Sequence, residues 1–257
     1  MKSTTLLANF DIHEHVRTVA IVGAGGKTSL MYSLAAALKA EHKYVVSTTS
    51  TKIFPPRSND SPALILLEAD PNVLTLPGLL SKHGHVTVAQ AILPDGKLQG
   101  IACSRVEDLL EHAHAVVMEA DGAAGRSIKA PETWEPRIPE RADLVIPVVG
   151  LDCIGKPATE EWVFRLERFL AITGMKKGES IVPEAVANVL IHCEGSLKGV
   201  PPEAMVIPFL NKLDLLADYS IIAVLADVLA RRGQGRIRKI VCGKLLDRAE
   251  TRSFVLS

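Results

Sequence analysis

The sequence predicts a three-layer α/β/α domain built on a mainly parallel sheet. Two observations carry this. Short runs that are almost wholly apolar, such as 18–22, 115–119 and 144–149, alternate along the chain with amphipathic stretches. Such runs suit strands buried on both faces and covered by helices. In addition, a glycine-rich turn joins the first run to a helical stretch, as a βα unit requires. The chain has 257 residues, a length that fits one such domain, and residues 1–257 are expected to form it.

Taken in order, 18–22 reads as a buried strand and 28–40 as a helix with Leu30, Leu34, Ala37 and Leu38 on one face. Residues 44–48 and 64–68 are further strands, followed by a stretch punctuated by proline and glycine to about 100. Within it, 86–93 and 98–104 flank Pro94-Asp95-Gly96-Lys97, a tight-turn signal that predicts a β-hairpin. Residues 106–112 suit a short helix, and 115–119 and 144–149 suit buried strands. Amphipathic helices are expected over 160–173, 183–190 and 219–232, with strands at 205–210 and 239–242. The stretches 55–105 and 155–203 are expected as insertions, the first holding the hairpin and the second helical.

Lysine plus arginine and aspartate plus glutamate each total 29, so no excess charge favours nucleic acid or an anionic membrane as partner. The basic stretch from Arg231 to Lys239 reads as a solvated loop after a helix. No apolar run reaches the 18 residues of a membrane span, and residues 1–10 lack a secretory signal pattern. Cys103, Cys153, Cys193 and Cys242 form no C-x-x-C pair, which fits free thiols in a reducing cytoplasm.

The chemistry concentrates at four strand ends. Gly23, Ala24, Gly25, Gly26, Lys27, Thr28 and Ser29 form a glycine-rich turn opening a helix. Backbone N–H groups and the helix N-terminus can there converge on a phosphate. Lys27 would reach β- and γ-phosphate oxygens, and the Thr28 hydroxyl would ligate Mg²⁺. The turn is shorter than G-x-x-x-x-G-K-[ST]. It resembles the G-G-x-G-K-T of deviant P-loops and the G-T-x-G-K-T of Mur-type amide ligases. The fold expectation thereby narrows to a P-loop NTPase-like domain binding GTP or ATP.

Glu119 ends the strand 115–119 and Asp121 follows two residues on, at the rim where open α/β sheets bind ligands. Either could complete the Mg²⁺ shell, and spacing does not choose between them. Asn211, Lys212 and Asp214 match N-K-x-D. An aspartate so placed can accept from the guanine ring N1–H and 2-amino group, a donor pair that adenine lacks. Ser47 to Lys52 supplies a row of hydroxyls, Thr49 among them, for phosphate, metal shell or a second substrate. Arg126 and Lys129 follow the acidic strand and are available for transition-state charge or an anionic substrate. The pairs His13/His15, His83/His85 and His112/His114 are expected to be solvated rather than metal-binding.

These segments together resemble the YqeC family, accessory proteins of selenium-dependent molybdenum hydroxylases. The resemblance rests on Val22 to Thr28, Ser47 to Pro55, Glu119 to Arg126, Ile128 to Pro131 with Glu135 to Pro139, and Asn211 to Asp214. It spans about residues 15–245. Ser50 interrupts a threonine run that the family tends to keep unbroken, though the hydroxyl is retained. The resemblance implies a role in maturing a selenium-containing molybdenum cofactor, driven by nucleotide hydrolysis, with a molybdenum hydroxylase or its cofactor as partner. The residues themselves point to a Mg²⁺-dependent nucleotide site in which Lys27, Glu119, Asp121 and Arg126 are the catalytic candidates. An ATP-dependent ligase or kinase acting on a small acid, or a nucleotide-gated delivery protein without turnover, is the alternative.

Overall fold

The computed structural model describes residues 3–233, 235–245 and 250–256. Met1 and Lys2 of the N-terminal stretch and Gln234 of the basic stretch lie outside the described residues. A ten-stranded sheet forms the centre. Its strands are β1 (Thr18–Gly23), β2 (Val45–Thr49), β3 (Leu64–Leu66), β4 (His85–Ala89) and β5 (Ala115–Glu119), then β6 (Leu144–Gly150), β7 (Met205–Val206), β8 (Phe209–Asn211), β9 (Lys239–Lys244) and β10 (Glu250–Val255). They lie in the order β10-β9-β8-β6-β1-β5-β2-β4-β3, with β7 beside β6. All pairs are parallel except β9 with β10.

Helices cover both faces, because residues of each central strand alternate between two apolar layers. Val19 and Ile21 of β1, Val117 of β5 and Ile146 of β6 pack with Leu30, Leu34 and Leu38 of α2 (Lys27–Ala40), where α1 (Ser3–Asn9) also lies. The opposite face of β2 and β5, with Val46, Val116 and Met118, packs with Leu76 and Leu80 of α3 (Leu76–His83) and Leu109 of α4 (Val106–Leu110). Further along that face, Leu210 and Ile240 meet α5 (Leu166–Thr173), α6 (Pro183–Ile191) and α7 (Ser220–Arg232). The result is the three-layer α/β/α arrangement expected from buried parallel strands.

Several elements differ from the sequence expectation. The first half of the expected hairpin is β4, which pairs in parallel with β2. Within the expected hairpin, antiparallel pairing is confined to Ala91–Ile92 with Leu98–Gln99, and the latter also pairs antiparallel with Lys52–Ile53. The turn itself forms: Leu93 N donates to Lys97 O at 2.7 Å and Gly96 has φ 78. The stretch 205–210 divides into β7 and β8 around Pro208, which has no N–H to give to a ladder. The helix expected from residue 160 begins at Leu166, because Arg165 takes a left-handed φ of 64. Ahead of it Val163–Phe164 pairs in parallel with Ile128–Lys129.

Because β1, β2, β5, β6 and β8 run parallel, their C-terminal ends share one rim. Gly23, Thr49, Glu119, Gly150 and Asn211 are thus brought together.

Candidate functional site

The turn after β1 requires glycine at three of its positions. Gly23 and Gly25 each have φ 92 and Gly26 has φ 126, a region that L side chains rarely enter. A β-carbon at Gly25 would lie 2.2 Å from the Gly150 nitrogen, and one at Gly26 would lie 2.3 Å from Asn211 Nδ2. Gly26 N-caps α2 without a side-chain hydrogen bond. The amides of the first turn of α2 have no helical carbonyl to bind, and the helix dipole adds partial positive charge there. Ser29 lies in this turn and is exposed, while Ala24 N donates to Val148 O at 2.9 Å.

Lys27 curls back over this turn. Its Nζ donates to Gly23 O at 2.7 Å and stands 3.3 Å from Asp121 Oδ1 and 3.5 Å from Glu119 Oε1, with the residue only 4% exposed. Burial alone would weaken the ammonium's hold on its proton. The charges of Asp121 and Glu119 outweigh that and hold the Lys27 pKa above its usual value. Burial raises the Glu119 pKa, and neither Lys27 nor the bond from Thr28 fully offsets it. That bond is short: Thr28 Oγ1 donates to Glu119 Oε2 at 2.6 Å.

The two carboxylates are held differently. Asp121 Oδ2 accepts from Gly23 N at 3.1 Å and lies 3.1 Å from Lys129 Nζ, so Asp121 sits between two lysines. Lys129 is itself buried, donating to Glu135 Oε2 at 2.9 Å and Gly122 O at 2.7 Å. It is therefore engaged inside the fold and does not face an open site. Thr49 Oγ1 donates to the Glu119 carbonyl at 3.0 Å and accepts from Thr51 N at 3.0 Å, bracing the end of β5 against the threonine-rich turn.

Asn211 joins the same cluster, donating from Nδ2 to Gly25 O at 2.7 Å. Lys212 donates to Ser127 Oγ at 3.0 Å and to Asp152 Oδ2 at 2.8 Å. Asp214 is exposed and lines a cavity of about 1050 Å³ with Tyr219, Cys242, Lys244 and Phe254. Arg126 is not brought to Lys27. It donates to the carbonyls of Glu160 and Ala124 instead.

Glu135, Ser127 and Asp152 take part in the cluster's contacts without having been singled out as candidates. Asp152 lies just past the apolar strand β6, so the strand-end rule that selected Glu119 applies to it as well. Of the six paired histidines, His85 departs from the solvated expectation. It opens β4, is buried, and its Nε2 lies 2.9 Å from Ser47 Oγ. The four cysteines are unpaired.

Among the described residues no group of three or more His, Cys, Asp or Glu side chains could hold a metal ion. The hard oxygens of Thr28 and Glu119 nevertheless suit Mg²⁺, which commonly keeps several waters and takes few protein ligands. Among the described residues no helix is long and apolar enough to cross a membrane.

The family model described as YqeC protein matches residues 19–167, more than half of the chain, from β1 to the start of α5. The protein named "Uncharacterized protein YqeC" of Escherichia coli (strain K12) is 30% identical over 214 residues, covering 81% of this chain and 81% of its own. The matched stretch holds the glycine turn, Glu119 and Asp121, and on this similarity the chain belongs to the YqeC family.

Proposed function

We propose that the chain is a Mg²⁺-dependent nucleoside triphosphatase that prefers GTP and serves the maturation of a selenium-containing molybdenum hydroxylase. The observation that carries the nucleotide part is the Thr28–Glu119 bond at 2.6 Å beside Lys27, at the open N-terminus of α2. Free helix-end amides, a lysine and a hydroxyl backed by a carboxylate are the parts that phosphate and its cation need.

In this reading the amides of Gly25, Gly26, Thr28 and Ser29 bind the terminal phosphates, those of Gly23 and Ala24 being bound within the fold. Lys27 exchanges its carboxylates for β- and γ-phosphate oxygens. Asp121 keeps Lys129 as its partner when Lys27 turns away, so no buried charge is stranded. Thr28 and Glu119 hold Mg²⁺ and its waters, and Mg²⁺ supplies neutralisation of the charge that develops between the phosphates. Glu119 is favoured over Asp121 for this role because Asp121 is held by two ammonium groups. Asp214 reads the base in the cavity that it shares with Tyr219 and Lys244. Asn211 positions the phosphate loop and does not touch the base. The hydroxylase partner is supported by family resemblance, independently of these contacts.

Calorimetric titration with GTP and ATP tests the proposal. Lys27→Ala should abolish binding of both, and Asp214→Ala should weaken GTP at least about 10-fold more than ATP, a difference of about 1.4 kcal/mol. An equal loss for the two nucleotides would remove the guanine assignment. Absence of binding by the native chain would remove the nucleotide reading.

A further inference from the structure

A second pocket lies beyond the acidic strand, between the turn 122–126 and the start of α5. It has a volume of about 380 Å³, and its lining includes Arg126, Glu132, Glu160, Phe164, Arg165 and Arg168. That size falls within the range of small-ligand pockets.

Glu167 also lines it, so three arginines stand with three glutamates, but their charges are unevenly paired. Glu160 pairs with Lys177 at 2.8 Å, and Arg168 pairs with Glu194 at 3.2 Å. Arg126 binds only backbone carbonyls, and among the described residues no carboxylate lies within 4 Å of it. Arg165 has a buried Nε with no hydrogen-bond partner, and its nearest carboxylate, Glu135, is 3.9 Å away and already bound by Lys129. Two guanidinium groups of one pocket are thus left short of acceptors, and guanidinium forks match planar oxyanions.

The same arginine lies beside two aromatic rings, that of Phe164 in the pocket lining and that of Trp134 outside it. Its Cζ lies 4.7 Å from the Phe164 ring centre and 5.6 Å from that of Trp134, and Trp134 is 59% exposed. Arg165 takes φ 64 without being glycine, a costly conformation that tends to occur where a side chain is aimed for function. An exposed indole beside an under-partnered guanidinium offers a ring a stacking surface and its anion a fork.

We propose that this pocket binds a small flat aromatic anion, with its oxyanion on Arg126 and Arg165 and its ring against the Trp134 and Phe164 edge. The site is separate from the glycine turn, yet one chain of ion pairs joins them. Arg165 faces Glu135, Glu135 binds Lys129, and Lys129 binds Asp121 beside Lys27. A ligand here would occupy a second-substrate position relative to the nucleotide.

Isothermal titration of the full chain with 1-naphthyl phosphate tests this, with inorganic phosphate and 1-naphthol as the two halves of the probe. Saturable one-site binding is expected, at least about 10-fold tighter than either half. Arg126→Gln and Arg165→Gln should each weaken it at least about 10-fold, and Trp134→Leu about 5-fold. Arg126 is half-exposed and bonded only to carbonyls, so its variant keeps the test readable if Arg165→Gln unfolds. No binding by the native chain, or unchanged binding by Arg126→Gln, overturns the proposal. Nucleotide binding is read in a separate titration, so either assignment can fail alone.

Discussion

Asn211 Nδ2 donates to the Gly25 carbonyl at 2.7 Å, joining residues 186 positions apart in the chain. The bond is buried and fastens the end of β8 to the turn after β1. It also explains the glycine at position 26, since a β-carbon there would lie 2.3 Å from the same Nδ2. In Asn211→Ala the Gly25 carbonyl loses its partner inside the fold, at a cost of about 1–3 kcal/mol. Tm should fall by about 2–12 °C, and nucleotide affinity should fall with it because the turn is no longer anchored. Asn211→Asp should be worse, since a carboxylate oxygen would then face the carbonyl. A calorimetric scan in which Asn211→Ala melts with the native chain would show that the tether contributes nothing.

The glycines form a graded test of backbone confinement. A β-carbon at Gly25 meets backbone, 2.2 Å from Gly150 N, whereas at Gly26 it meets the movable end of a side chain. Gly25→Ala should therefore destabilise more than Gly26→Ala, and both should do so by more than about 1 kcal/mol, because each also has positive φ. Gly78 lies on the exposed side of α3 with nothing within 4 Å of an added β-carbon. Gly78→Ala should stabilise the fold by about 0.5–1 kcal/mol through helix propensity. Urea midpoints of the three variants give the order directly, and Gly25→Ala proving as stable as Gly78→Ala would refute it.

The hydroxyl of Thr28 matters because it donates to a carboxylate that burial already makes reluctant to ionise. Thr28→Ser keeps the donor, while Thr28→Ala removes it together with a hard oxygen for Mg²⁺. A hydrogen bond to a charged group is worth about 1.5–3 kcal/mol. On the proposed function, GTP affinity in Mg²⁺ should drop about 10- to 100-fold in Thr28→Ala and less than about 3-fold in Thr28→Ser. With the metal chelated, the two variants should converge. Titrations with and without chelator decide it, and a Thr28→Ala penalty equally large under both conditions would deny the metal role.

What the sequence made legible follows from how each element is stabilised. β1, β5 and β6 are apolar but for Thr18 and Glu119 at their ends because both faces are covered, so composition alone marks them. β10 escaped notice because it is an exposed edge strand, with Glu250, Arg252 and Ser253 facing water and only Thr251 buried. α3 was masked by Pro77 and Gly78, although proline is at home in the first turn of a helix. The start of α5 depends on Arg165 taking a left-handed φ, which side-chain periodicity does not encode. At the site, Lys27, Thr28, Glu119 and Asp121 could be placed on one rim because motif and strand end coincide. The Lys129–Glu135 pair and the loop-tying role of Asn211 arise from tertiary contacts that no local spacing reports.

His85 supplies a pH test independent of any ligand. It is buried at the start of β4, its Nε2 lies 2.9 Å from Ser47 Oγ, and Ser47 Oγ in turn lies 2.8 Å from Thr87 Oγ1. Burial disfavours the charged ring, and Lys39 nearby adds to this, so the pKa is lowered from 6.5 to about 4. The native ring therefore holds a proton more weakly than the unfolded chain does. Between pH 6.5 and about 4 the unfolded chain gains protons first, and stability falls as the pH is lowered through that window. The full contribution is present above pH 6.5 and amounts to about 3 kcal/mol. His85→Gln retains a hydrogen-bonding side chain for Ser47 but cannot titrate. The variant should start less stable at pH 7, then lose about 3 kcal/mol less than the native chain by pH 4. Urea unfolding across that range compares the two slopes. If the curves run parallel, the ring is already reached by water and protons in the native state, and its burial in the Ser47–Thr87 network is not what sets its charge.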